Sequence, residues 1–260
     1  MNDTALIERP TSLRCNETGP RPDASDMRLV EELQRQRYAL MRGPETAAWL
    51  DFPMREWPRF GDYWNRLTLD RHMGDGGTYR FRRYGELELQ YPDQLRQLPH
   101  GPYEQPRYIN KLNGGIQRWF DPLEPEFVQE ESLTKLLMSL ARVLDRVEGA
   151  RQCWNVRLHP YRIRASSDTA GQPTPEGLHR DGVDYIVVMM VRRHNVRGGE
   201  STITDAEGQP LFVCKLVEPL DFMVLDDNRT MHGVTPVLPA PDALEAYRDV
   251  LVLAFTKNAG

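Results

Sequence analysis

Four residues stand out in this sequence for their types and spacing: His179, Asp181, His232 and Arg248. His179 and Asp181 form a His-x-Asp pair inside Pro175-Glu176-Gly177-Leu178-His179-Arg180-Asp181-Gly182. On an extended segment side chains alternate with period two, so both would point to one face. An imidazole nitrogen beside a carboxylate oxygen supplies two ligands of the facial triad that holds non-haem Fe(II). Such pairs are common by chance, and a third ligand has to be found independently. His232 follows Asp181 by 51 residues, room for two or three antiparallel strand pairs and the return across a small jelly roll. Sixteen residues later, Arg248 opens the run RDVLVLAF, where it shares a strand face with Val250, Val252 and Ala254. An arginine facing into a barrel beside apolar neighbours needs an anion, because an unpaired buried charge is very costly. A carboxylate in the planar guanidinium fork is the natural partner.

The elements that must position these residues are legible in outline. From residue 152 onward, β-type runs cover 153–164, 183–193, 200–205, 211–217, 221–226, 231–237 and 248–256, separated by turn signals such as Arg197-Gly198-Gly199. Closely spaced strands without long intervening helices predict an antiparallel sandwich or barrel and exclude a βαβ array. Upstream, Pro125 to Val147 carries one apolar stripe and ends at Gly149, the pattern of an amphipathic helix. Ser25 is a candidate N-cap for a helix through Met27, Val30, Leu33 and Leu40 or Met41, stopped by Gly43-Pro44. Alternation over TYRFRRYGELELQ (residues 78–90) predicts strands. The expected organisation is a flexible tail (1–24), a helical or mixed region (25–150) packed on the barrel, and a catalytic core (151–260). The fold class is mainly β with N-terminal helices, around a double-stranded β-helix (jelly roll).

The order and spacing of His179, Asp181, His232 and Arg248 resemble the Fe(II)/2-oxoglutarate-dependent dioxygenases. Within them, four stretches are similar to the bacterial free amino-acid hydroxylases of the L-isoleucine 4-hydroxylase type: PTPEGLHRDGVDY, Gly198-Gly199-Glu200-Ser201, Met231-His232-Gly233-Val234-Thr235-Pro236, and Tyr247-Arg248-Asp249-Val250. The resemblance spans roughly residues 150–257. It implies a double-stranded β-helix with His179, Asp181 and His232 as iron ligands and Arg248 on the distal carboxylate of 2-oxoglutarate. Dioxygen would be the other cosubstrate, with succinate and CO₂ released as an unactivated carbon is hydroxylated. Related halogenases replace the ligand carboxylate by a small residue; with Asp181 present, hydroxylation is the expected outcome. Ser201 is a candidate for the cosubstrate pocket, against the plainer reading of a turn-terminating serine.

An amino-acid substrate would need a cation for its carboxylate and an acceptor for its ammonium. Arg162 or Arg164 could serve as the first and Glu176 or Asp184 as the second, with Tyr161 and His159 as further candidates on the same strand. Against these stand solvated strand arginines and a hydrogen-bonded structural histidine. His194, His72 and His100 fall in polar turns or loops with no partner spacing. Other readings of the motif are hydroxylation of an amino-acid-derived or carrier-bound metabolite, and a non-catalytic jelly roll binding a metal or small acid. A zinc hydrolase is a third, which leaves Arg248 without a role.

Composition narrows the classes further. The 260 residues carry a net charge of −5, with 29 arginines against 4 lysines. An acidic chain of this kind argues against a dedicated nucleic-acid binder. The longest wholly apolar stretch, Tyr185 to Val191, is too short to span a bilayer. Three scattered cysteines, with no CxxC pattern, fit a reducing compartment, and the N-terminus shows no signal-peptide pattern. The expectation is a cytoplasmic enzyme acting on a small molecule, without nucleic-acid or membrane partners and with homo-oligomerisation left open.

Overall fold

The computed structural model describes residues 23–90 and 94–258; most of the expected tail lies outside them. The chain runs through α1 (Ala24–Gln36), β1 (Tyr38–Met41), α2 (Gly43–Trp49), α3 (Trp57–Gly61), β2 (Thr68–Leu69), β3 (Arg80–Arg82), β4 (Gly85–Gln90) and β5 (Gln94–Gln97). An irregular stretch over 98–124 leads to α4 (Pro125–Val128) and α5 (Glu131–Glu148). Strands then follow without further helix. They are β6 (Trp154–Ala165), β7 (Tyr185–His194), β8 (Val196–Gly198), β9 (Ser201–Asp205), β10 (Pro210–Cys214), β11 (Phe222–Asp226), β12 (Thr230–Val234), β13 (Val237–Pro239) and β14 (Ala246–Lys257).

Every strand pairing is antiparallel. The large sheet runs β1-β11-β7-β14-β6-β3-β2, with β4 and β5 branching from β6. A three-stranded sheet β10-β9-β12 and the pair β13-β8 complete the roll. This is the expected mainly β fold with N-terminal helices on a double-stranded β-helix.

Two of the predicted helices are shorter than their patterns. α1 stops at Gln36, where Arg37 takes a left-handed conformation (φ 73°) and donates its N–H to the Leu33 carbonyl. Tyr38 to Met41, apolar at positions that could continue the helix, instead pair with β11 from Leu225 back to Phe222. A free sheet edge outweighs the weak local preference for helix. The predicted helix from Pro125 is broken at Gln129-Glu130. Glu130 is extended (ψ 126°) and its carboxylate accepts bonds from Tyr63 and Arg59, contacts that a continuous helix would forfeit.

The large sheet has two faces with different tasks. Its outer face meets α5, whose stripe of Leu133, Leu136, Leu137, Leu140 and Leu144 is buried, and the aromatic group Trp57, Phe60, Trp64 and Phe127. Along β14 the outward residues Leu251, Leu253 and Phe255 join this core. The inward residues Arg248, Val250 and Val252 line a cavity inside the roll. One strand therefore serves stability and site on alternate residues. Replacing Leu251 by alanine should cost about 2–5 kcal/mol of unfolding free energy in a urea titration, while metal binding by the folded variant stays unchanged.

Candidate active site

His179 and His232 are joined through their backbones before their side chains meet. They form an isolated antiparallel bridge, with His179 N–H to His232 O at 3.0 Å and the reverse bond at 2.9 Å. The rings face each other with centroids 4.5 Å apart. Asp181 Oδ2 lies 3.8 Å from His179 Nε2 and 3.6 Å from His232 Nε2. One ligand atom from each of the three residues falls within a 4.8 Å cluster.

Local sequence explains how Asp181 turns back into this cluster. Gly182 sits in the left-handed region (φ 79°), which favours glycine, and a Cβ there would lie 3.1 Å from the Ile109 side chain, which would have to shift. The N–H groups of Asp181, Gly182 and Val183, which no strand partner claims, all donate to the buried carboxylate of Asp227 at 2.7–3.0 Å. Gln105 donates to the Asp181 carbonyl at 3.2 Å. Asp227 and Gln105 thus hold the ligand loop, and neither is apparent from the motif. A carboxylate directly after a strand and opposite a glycine turn was the available signal for Asp227; Gln105 had none.

The electrostatics suit a cation. His179 Nδ1 lies 3.0 Å from the Gly177 carbonyl, which can only accept, so Nδ1 carries a proton and Nε2 faces Asp181; burial works against a charged ring, but Asp181 and Glu176 beside it raise His179 above the ordinary histidine value. Burial, reinforced by the neighbouring His179, pushes His232 down to about 3, leaving a neutral imidazole. Its buried Nδ1 has no partner among the described residues. Two imidazoles and a carboxylate thus converge on one point, a donor set that a divalent metal fits.

Arg248 lies farther along the same cavity. It is 1% exposed, and its Nε and one terminal nitrogen have no hydrogen-bond partner among the described residues. Burial, with Arg193 adding to it, lowers it to about 10. Arg193 is its cross-strand neighbour and is itself tied to the Gly198 carbonyl at 2.8 Å. Ser201 is fully buried with an unpaired hydroxyl; it opposes Val234 in register, and Val234 lines the cavity. The unpaired nitrogens of Arg248, which lines the cavity, fit an organic carboxylate; Ser201 is not itself among the lining residues.

Of the residues predicted to bind substrate, the structure brings Glu176, Tyr161 and His159 to the cavity. Arg162 and Arg164 are not among its walls. Strand parity is the reason: on β6, His159, Tyr161 and Ile163 face inward, so Arg162 and Arg164 face out. Arg162 forms a bidentate pair with Asp249 at 2.7 and 2.8 Å, and Arg164 lies 3.5 Å from Glu245. Asp184 is likewise elsewhere, accepting from the Lys257 N–H at 2.7 Å. Burial and then Arg82 hold His159 well below the usual histidine range. It accepts a hydrogen bond from Arg82 and stacks on Tyr161, so it is a neutral structural base in the wall. His72 and His100 bind backbone carbonyls of Trp119 and Phe120, and His194 stacks on Tyr247. The sequence reading missed Arg80, Arg82 and Arg118, which line the cavity. The alternation over 78–90 placed Arg80 and Arg82 on one face, but two arginines on a face suggest solvent, not an interior.

Comparison with known proteins agrees with this geometry. The family model described as 2OG-Fe dioxygenase matches residues 61–254. The 3(1)-hydroxy-L-isoleucine 4-dioxygenase of Pantoea ananatis is 27% identical over 184 residues, 69% of this chain and 73% of that protein. The crystal structure of a bsmA homologue from Methylobium petroleophilum superposes with a TM-score of 0.81 at 33% identity, covering 90% of this chain and 93% of the other. The structure of IDO from Bacillus thuringiensis shares the fold, with a TM-score of 0.75 at 17% identity over 90% of this chain and all of that one. Three quarters of the chain lie within the family match, and the clustered His, Asp and His side chains sit inside it: the chain belongs to the 2OG-Fe dioxygenases, oxidoreductases that use Fe(II), 2-oxoglutarate and O₂.

Proposed function

We propose that this enzyme hydroxylates an unactivated carbon of a free L-amino acid. His179, Asp181 and His232 hold the iron, and Arg248 holds the distal carboxylate of 2-oxoglutarate. The observation that carries the reading is one cavity lined by the His/Asp/His cluster, by Arg248 with its unpaired nitrogens and by Glu176. The named activity of the Pantoea relative supports an amino acid as the substrate class.

Bound iron and 2-oxoglutarate supply, with dioxygen, the oxidising power that replaces a substrate C–H by C–OH as 2-oxoglutarate is split to succinate and CO₂. The chain's own residues prepare the site for this. Asp227 and the His179–His232 bridge fix the ligand atoms before any ligand arrives, so little reorganisation remains. Asp181, as a carboxylate ligand, would keep one position on bound iron for the protein, which favours hydroxylation. Val188, Val250 and Val252 line the interior near Arg248 and keep water from the oxidising centre. Glu176, with one buried carboxylate oxygen unpaired and the other 3.9 Å from His179 Nε2, is placed to accept a substrate ammonium.

Anaerobic addition of Fe(II) and 2-oxoglutarate should produce a weak visible charge-transfer band, which His179→Ala abolishes. A band unchanged in that variant would remove His179 from the ligand set. In oxygen, a panel of free L-amino acids should raise succinate release above the uncoupled rate; no stimulation by any of them would overturn the substrate class. Arg248→Gln should raise the KM for 2-oxoglutarate by about 30-fold or more, the consequence of losing about 2 kcal/mol or more from a desolvated charge pair, while Mn(II) binding to the triad is preserved.

A further inference from the structure

The cavity wall on the side of the irregular stretch 98–124 carries charges that the iron and cosubstrate do not use. Arg82 and Arg118 are 1% and 2% exposed, and neither has a carboxylate at ion-pair distance among the described residues. Arg82 is pressed on the Phe120 ring, 3.8 Å from its centroid, and donates to His159 Nδ1; its Nε is unpaired. Arg118 lies over Tyr103 and donates to Gln105 Oε1 at 2.9 Å; its Nε is unpaired too. Arg80, beside them, is already neutralised by Asp70 at 2.7 Å. Aromatic faces and neutral amides support these guanidinium groups without discharging them.

We propose that the substrate is an acidic amino acid, its two carboxylates taken by Arg82 and Arg118 and its ammonium by Glu176. This rests on the amino-acid reading above and narrows it. Charge balance supports it. Iron and 2-oxoglutarate would draw on Asp181 and Arg248 at the other end of the cavity. On the substrate side three arginines, Arg80, Arg82 and Arg118, face two carboxylates, Asp70 and Glu176. One positive charge remains, and a molecule with two carboxylates and one ammonium cancels it. The wall is polar besides: Gln105, Asn110 and Asn113 line it. A branched aliphatic side chain there would dry these amides and leave one guanidinium buried without an anion. Sites with buried groups of this kind reject an analogue that lacks the matching group strongly, by about 10⁴-fold in favourable cases.

The test is a binding panel on the full chain loaded anaerobically with Fe(II) and 2-oxoglutarate. L-aspartate, L-glutamate, L-asparagine, L-glutamine and L-isoleucine are titrated calorimetrically, and succinate is measured in oxygen for each. We expect one of the acids to bind at least ten-fold tighter than its amide and than L-isoleucine. Arg118→Gln should erase that preference, Arg118→Lys should restore part of it, and Glu176→Gln should weaken acid and amide alike. If L-isoleucine or an amide binds as tightly as the acids, both guanidinium groups grip one carboxylate and the proposal is overturned, while the amino-acid reading stands. If no amino acid binds or stimulates succinate, both fall. The panel on the unmutated protein decides between these outcomes even if Arg118→Gln does not fold.

Discussion

An arginine sealed inside a barrel with no carboxylate of its own chain at hand is the constraint on which this structure turns. Leaving such a charge unpaired costs several kcal/mol, and the fold accepts that cost more than once. The contrast is sharpest between neighbours on β14. Asp249 faces outward and is closed by Arg162 in a bidentate pair. Arg248, one residue earlier, faces inward and keeps two nitrogens unpaired. A chain able to neutralise the one could have neutralised the other. The site is therefore held in a state that only ligands complete, and its stability comes from the opposite face of the same sheet, where α5 and the aromatic group are packed.

The metal cluster obeys a related constraint. Three converging acceptor atoms cannot be placed on one regular strand, because residues i, i+2 and i+4 share a face but span about 13 Å, so the third must arrive from elsewhere. The chain meets this by making His179 and His232 backbone partners and by taking the segment after His179 out of the sheet. That departure frees three N–H groups, and an unpaired buried N–H is costly. Asp227 collects all three. The ligand loop is thus as rigid as a strand without having its geometry, which a preorganised centre requires.

How much of this could be read from the sequence follows from how local each determinant is. The return to His232 and the parity that turns Arg248 inward depend on spacing along strands; Asp181 reaches the same cavity from a loop and not, as expected, from an extended segment shared with His179. The helix of α5 was legible for the same reason. What failed depended on distant partners. Arg162 and Arg164 suit a carboxylate by type, but residue parity with Tyr161 decides their direction, and Asp249, 87 positions away, decides the fate of Arg162. The strand Tyr38–Met41 reads as helix until β11 offers it an edge. Arg82 and Arg118 come from different segments, and their common burial is a property of the closed roll.

The irregular stretch 98–124 contributes to the site alongside the strands. Gln105 is its central residue: its carbonyl oxygen accepts from Arg118 and Asn110, and its amide nitrogen donates to the Asp181 carbonyl. One side chain therefore touches a guanidinium on the substrate wall and the backbone of the metal loop. A hydrogen-bonded chain of this kind is polarised along its length. Gln105 joins the two halves of the cavity through its side chain, from a stretch with little strand pattern, so nothing in its local sequence marks it.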